Sequence, residues 1–234
     1  EIIAHAFSSA VITPGVTTTD DVVLAMREQA RARGLGEWFV PTVDLQRKGR
    51  VAGSPLAEGV RPVIERGDLL HCDFGLVGLG LATDTQHLGY VLREGETAPP
   101  AGLMHALKQA NALQDILMAE MKPGRTGNDV LAAALERMRA AGIDGSIYTH
   151  PIGDHGHGAG PLVGLWDRQE PIPARGEVKL RPETWYAIEL QATTPVPEWD
   201  NQPVRAALEE DAVLQADGSM AWVLRRQEAF HLIR

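Results

Sequence analysis

Apolar residues recur at helical spacing in two stretches that open in the same way. "PGVTTTDDVVLAMREQARARGL" starts at Pro14 and "PGRTGNDVLAAALERMRAAGI" at Pro123. Each begins with Pro-Gly and polar residues suited to cap a helix. Each then carries Arg or Glu on one face and stops at a glycine, Gly34 or Gly142, followed by Leu or Ile. A third helical pattern, "PPAGLMHALKQANALQDILMAEM", starts at Pro99. Four short apolar segments bounded by turn residues predict strands: "LLHCDFG" from Leu69, "LATDTQHLGYVL" from Leu81, "WYAIEL" from Trp185 and "DAVL" from Asp211. "ERGDLLHCDFG" from Glu65 resembles "LRPETWYAIEL" from Leu180, each a turn and an apolar strand ending near one acidic residue. The pattern therefore predicts two copies of a helix followed by strands. Helices and strands do not alternate strictly enough for a doubly wound parallel sheet. The expected class is α+β, a curved and mainly antiparallel sheet with helices outside.

Composition narrows the picture. The chain has 234 residues, 44% of them hydrophobic, enough for a sizeable core. No linker interrupts it, so residues 1–234 are expected to form a single domain. The formal net charge of -9 argues against a nucleic-acid partner held through phosphates. No apolar run reaches the length of a membrane span, so no membrane partner is expected. The single cysteine, Cys72, excludes an internal disulfide framework and fits a reducing, cytoplasmic setting. A homodimer is left open.

The acidic residues on the apolar strands carry the candidate chemistry. Asp73 and Asp84 stand eleven residues apart, and a turn through Gly75–Gly80 would bring them together. Glu189 lies on its own apolar strand, and "LEEDAVLQADG" offers Glu209, Glu210 and Asp211. His150, His155 and His157 lie between, in the glycine-rich "HPIGDHGHGAGP". Imidazole with several carboxylates suits a divalent cation such as Mn, Co, Fe or Zn. Carboxylates gathered at one point repel each other, and two ions would relieve that repulsion.

These motifs, in this order, resemble the methionine aminopeptidase, Xaa-Pro peptidase and creatinase superfamily, the pita-bread metallopeptidases. "DFG" at Asp73, "TDT" at Asp84, "GHGAG" at His157, "YAIEL" at Glu189 and "LEEDAVLQADG" at Glu209 match that family's ligand motifs over nearly the whole chain. The family's pseudo-twofold accounts for the internal echo. The resemblance implies two divalent metal ions, Mn first. Asp73 would chelate one ion, Asp84 and Glu209 would bridge both, and His157 would bind the second with Glu189 beside it. A water activated between the ions would attack a peptide carbonyl, with Glu189 as proton shuttle. Glu210 and Glu228 remain rivals to Glu209 as the last ligand.

The departures from the family bear on substrate. A substrate-binding histidine is expected about seventeen residues before Asp73, where this chain reads "GSPLAEG" without one. The histidine expected after the metal histidine is absent from "PLVGLWDRQ", and "DTQH" stands where the family has "DxTR". His155 and His150 are then the candidates for positioning a substrate, while His71 and Cys72 read as core residues. The expected function is that of an Xaa-Pro dipeptidase or aminopeptidase acting on short peptides. The alternatives are a creatinase-like C–N hydrolase of a small molecule and a catalytically weak binding module. Xaa-Pro and creatinase relatives carry a separate N-terminal domain, and the chain begins at Glu1, which leaves open that it is the C-terminal part of a longer protein.

Overall fold

The two echoing stretches fold alike. A computed structural model describes residues 1–50 and 62–234, and in it they form the helices Thr19–Ala32 and Gly127–Ala140. Both open on a capping box: Thr18 accepts from the Asp21 amide while the Asp21 carboxylate accepts from Thr18, and Thr126 and Asp129 do the same. Both close on the glycines, Gly34 and Gly142, each at φ 68°. The amides of Leu35 and Ile143 return to the carbonyls of Ala30 and Met138, which completes the same left-handed stop. The third pattern forms the helix Ala101–Glu120, whose apolar face packs on the strand Leu190–Val196.

The strands of the described residues assemble into four small sheets. Leu69–Asp73 lies between Thr42–Gln46 and Gln86–Val91, and His231–Ile233 adds to the far side of Gln86–Val91. Leu190–Val196 lies between Asp144–Ile147 and Gln202–Leu208. Thr184–Ala187 joins His150–Pro151 to Asp211–Leu214, which pairs in turn with Met220–Trp222. Leu76–Gly78 and Leu81–Thr83 form a hairpin closed by Leu79 and Gly80 at φ 53° and 79°, with Gly36–Glu37 at its edge. Among the described residues, every strand pairing is antiparallel except that of His231–Ile233 with Gln86–Val91. The curved, mainly antiparallel α+β arrangement agrees with the sequence pattern.

The strands differ from that pattern at their acidic residues. "LATDTQHLGYVL" is not one strand: it breaks at Asp84–Thr85, where the chain leaves the hairpin and pairs instead with Leu69–Asp73. "WYAIEL" breaks at Ile188–Glu189, between partners Asp211–Leu214 and Gln202–Leu208. A third break, at Glu209–Glu210, lies opposite the second. At each break the backbone changes partner, so simple alternation no longer dictates where the next side chain points. A two-bond bridge between Gln86 and Glu209, with N···O distances of 3.0 and 3.2 Å, ties the halves together at this joint.

One core cluster gathers around the helices Ala101–Glu120 and Gly127–Ala140, with Trp199 and Tyr186 fully buried in it. A second gathers around Thr19–Ala32 and Leu69–Asp73 and holds the buried Cys72, and a small third one joins Ala82, Ile152 and Ala187. Among the described residues, no helix is long and apolar enough to cross a membrane.

The matched caps make a direct prediction. Replacing Thr126 by Ala should lower unfolding stability by about 1 kcal/mol, and Thr18→Ala should do about the same. Urea denaturation followed by circular dichroism reads both, and unchanged midpoints would mean the reciprocal cap bonds contribute nothing.

Candidate metal centre

Asp73 ends its strand, Asp84 occupies the first break, and Glu189 and Glu209 occupy the facing second and third. These four positions, far apart in the chain, converge with His150, which enters from the short strand His150–Pro151. His150 Nε2 lies 3.5 Å from Glu209 Oε1 and 3.9 Å from both Asp84 Oδ2 and Glu189 Oε2. Three overlapping groups each place one donor atom per residue within 4.8 Å of one another. They are Asp73 with Asp84 and Glu209, His150 with Glu189 and Glu209, and Asp84 with His150 and His157.

Burial separates the three histidines. His150 is fully buried, and its Nδ1 faces the Pro151 carbonyl at 3.2 Å. His157 is exposed at the rim, its ring 4.5 Å from that of His150 and nearly perpendicular to it. His155 has a side chain 77% exposed, pairs with Asp154 at 3.3 Å and belongs to none of the three groups. The rival acids also lie elsewhere. Glu210 turns to the other face of its strand and meets His87 Nε2 at 2.5 Å, while Glu228 is exposed and pairs with Arg226. On that opposite face a cavity of ≈ 630 Å³ is lined by Phe74, Thr83, Thr85, His87, Glu210 and His231 among others, and it does not contain the acidic cluster.

The electrostatics of the cluster are those of acids short of a counter-charge. Burial raises the Asp84 carboxyl well above its ordinary value, and the charges of Asp73, Glu189 and Asp211 add to it. Glu209 is raised likewise by burial and then by Asp84, Glu189 and Asp73. Glu189 is pushed up to about 7, first by burial and then by Asp73, against the hydrogen bond from Gln86. Burial also raises Asp73. His150 moves the opposite way, down to about 4, because burial disfavours its cation and His157 and Arg175 lie nearby. It is therefore a neutral imidazole, the form that binds metals.

The cluster fits divalent ions on a second ground. Asp73 Oδ1, His150 Nε2 and Glu209 Oε1 are all buried without a hydrogen-bond partner, an expensive arrangement that bound cations would relieve. Four carboxylates with neutral imidazole form a donor set suited to Mn, Co, Fe or Zn.

Some surrounding residues carry no motif. Trp38 donates its indole N–H to the Thr83 carbonyl at 2.9 Å and packs edge-on to His157 with ring centres 5.0 Å apart. A Cβ on either Gly75 or Gly156 would collide with the Trp38 ring, so both glycines are needed for this close approach. Arg175 holds the histidine loop through the carbonyls of Gly158 and Gly160. Gln86 reaches Glu189 and Glu209, and behind it stand His71 and Asp44. For Gln86 the available signal was "DTQH" itself, where a glutamine two residues after Asp84 replaces the family's threonine. Trp38 had no such signal. The "GSPLAEG" stretch, where the family's upstream histidine is missing, lies outside the described residues.

A family model described as "Metallopeptidase family M24" matches residues 1–216. The chain belongs to this family. Solved M24 structures share its pita-bread fold. One is a dipeptidase from Pyrococcus horikoshii OT3, at 18% identity and TM-score 0.69 over 100% of this chain and 62% of the other. Another is an X-Pro aminopeptidase from Thermotoga maritima MSB8, at 21% identity and TM-score 0.67 over 99% of this chain and 60% of the other. A methionine aminopeptidase from Thermotoga maritima, at 21% identity and TM-score 0.64, is covered over 91% of its length by 94% of this chain. The chain thus spans about three-fifths of the first two relatives. No curated protein matches the sequence significantly.

The raised carboxyls set a pH dependence. A carboxyl with a higher pKa folded than unfolded binds more protons in the folded state between the two values, so stability falls as pH rises through that window. For Glu189 the window runs from 4.5 to about 7. Metal-free protein should therefore lose stability as pH rises from about 4.5 to about 7, on the order of 3 kcal/mol from Glu189. Saturating Mn²⁺ should remove most of that decline. Thermal unfolding with chelator and with Mn²⁺ measures both, and a flat metal-free profile would contradict the account of bare, facing carboxylates.

Proposed function

We propose that this M24 member is a metal-dependent exopeptidase acting on short peptides, of the Xaa-Pro dipeptidase or aminopeptidase kind. The observation that carries the reading is the overlap of two donor groups at Glu209, one with Asp73 and Asp84 and one with His150 and Glu189, in which Asp73 Oδ1, His150 Nε2 and Glu209 Oε1 are buried without a hydrogen-bond partner. Asp73, Asp84, Glu189 and Glu209 would hold two divalent ions, with Mn the first candidate. The sequence pattern put the histidine ligand at His157 and a positioning role at His150. The geometry favours His150 as the inner ligand, since it is buried, neutral and within reach of three of the acids. His157 is the outer donor, near Asp84 and open to a substrate. His155 is not needed.

Ions held there supply Lewis-acid polarisation of a carbonyl and lower the pKa of water. The chain's own residues do the rest. Glu189 is the group we assign to move a proton, since its side chain is 20% exposed and its carboxyl is pushed up to about 7 by burial and then by Asp73. Trp38, Tyr148 and His157 flank the mouth and give a peptide side chain an aromatic wall, with ring centres 5.0 Å apart for Trp38 and His157 and 6.0 Å for Tyr148 and His157. Burial, and then the Glu189 charge, push the Tyr148 phenol up to about 12, so it stays a neutral donor.

A peptide panel assayed with Mn²⁺ or Co²⁺ tests the reading. Slow cleavage is expected, dipeptides with proline second among the substrates. Asp84→Asn should abolish it by removing one of the charges that would hold the ions, and His150→Ala should lose bound metal, whereas His155→Ala should keep both. Metal-loaded protein that leaves every peptide intact but turns over a guanidino or amide compound would replace this reading with the creatinase-like one. Inactivity on both would favour a binding module.

A further inference from the structure

Gln86 has every polar atom of its side chain committed. Its Nε2 donates to Glu189 Oε1 at 2.9 Å and to Glu209 Oε2 at 2.8 Å. Its Oε1 lies 2.9 Å from His71 Nε2. Both Gln86 and His71 are buried. These contacts fix the direction of the amide. Turned over, it would set its carbonyl oxygen against two carboxylates, so the NH₂ must face them. Oε1 must then accept from His71 Nε2–H. His71 is held from behind by Asp44, whose Oδ2 lies 3.2 Å from Nδ1, and Arg205 lies 3.7 Å from the same oxygen.

The sheet builds this chain of contacts directly. Asp44 and His71 are cross-strand partners, and Gln86 stands diagonally across from His71, opposite Asp73. The three side chains thus come from three adjacent strands. The last of them crosses the joint between the halves, because Gln86 and Glu209 also pair through their backbones.

The consequence falls on the acids. With Glu189 Oε1 and Glu209 Oε2 each taken by one Gln86 N–H, the oxygens left towards His150 are Glu189 Oε2 and Glu209 Oε1. An Arg or Lys in place of Gln86 would hold the same acids but would compete electrostatically with incoming cations. A neutral amide orients them without adding charge.

We propose that Gln86, locked by His71, is a positioning residue that selects which oxygens of Glu189 and Glu209 face the metal ions and so sets the affinity and geometry of the site. The proposal rests on the metal-centre reading above. Gln86→Met keeps the side-chain shape and removes the amide. It should weaken Co²⁺ binding about 10- to 100-fold, as loss of a ligand-orienting hydrogen bond commonly does, and change the visible absorption of the Co²⁺-loaded protein. His71→Leu should act in the same direction, and His71→Gln, which can still donate to Gln86, should restore much of the affinity. Calorimetry and absorption on the full chain read these effects, with circular dichroism confirming the fold.

Wild-type affinity and spectrum in Gln86→Met would overturn the proposal. If that variant does not fold, equal affinities in His71→Leu and His71→Gln would overturn it instead. Wild-type protein that binds no Co²⁺ would sink the metal-centre reading as well, so the two failures are distinguishable.

Discussion

Four carboxylates converge at one largely buried site and repel each other there. Among the described residues, no Lys or Arg pairs with Asp73, Asp84, Glu189 or Glu209, and the histidine among them, His150, is held neutral by burial. Desolvation and mutual repulsion both work against such a cluster, and its raised carboxyls measure that opposition. Divalent cations of the kind the M24 family implies would offset that opposition. The surrounding structure holds the acids together against it.

The strand breaks are part of that structure. A continuous strand sends successive side chains to opposite faces, which would scatter acids at odd separations such as the eleven residues between Asp73 and Asp84. The chain changes partner instead at Asp84, Glu189 and Glu209, and each change re-aims a side chain into the same space. The hairpin between Asp73 and Asp84 lets both return to the joint. The helices outside, with their matched caps, support equivalent strands in the two halves, so the site falls where the halves meet.

Rigidity at that joint comes from hydrogen bonds and packing rather than from Lys or Arg ion pairs to the acids. The Gln86–Glu209 backbone bridge fixes the strands, the Gln86 amide fixes the carboxylates, and Trp38 wedges between Gly75 and the histidine loop. Arg175 steadies that loop through its carbonyls, without touching the acids. Positive charge thus stands behind the acids: Arg175 at the loop, Arg205 behind Asp44, and His71, which donates from both ring nitrogens to Asp44 and Gln86.

The sequence by itself determined the local structure and the family. Cap residues, stop glycines and apolar periodicity depend on near neighbours, so the helices at Thr19 and Gly127 and their repeat were legible, as was the mainly antiparallel α+β class. The acidic motifs were legible because their order and spacing are linear quantities, and the match of residues 1–216 to the M24 model agrees with them. What only the tertiary structure decided is orientation. "HPIGDHGHGAGP" cannot tell a buried imidazole from an exposed one, because burial depends on what packs above it; His150, His157 and His155 differ mainly in that. Gln86 and His71 looked like a substitution and a core residue. Their contact arises because strand register sets them diagonally opposite on one face, and register belongs to the sheet rather than to any single strand.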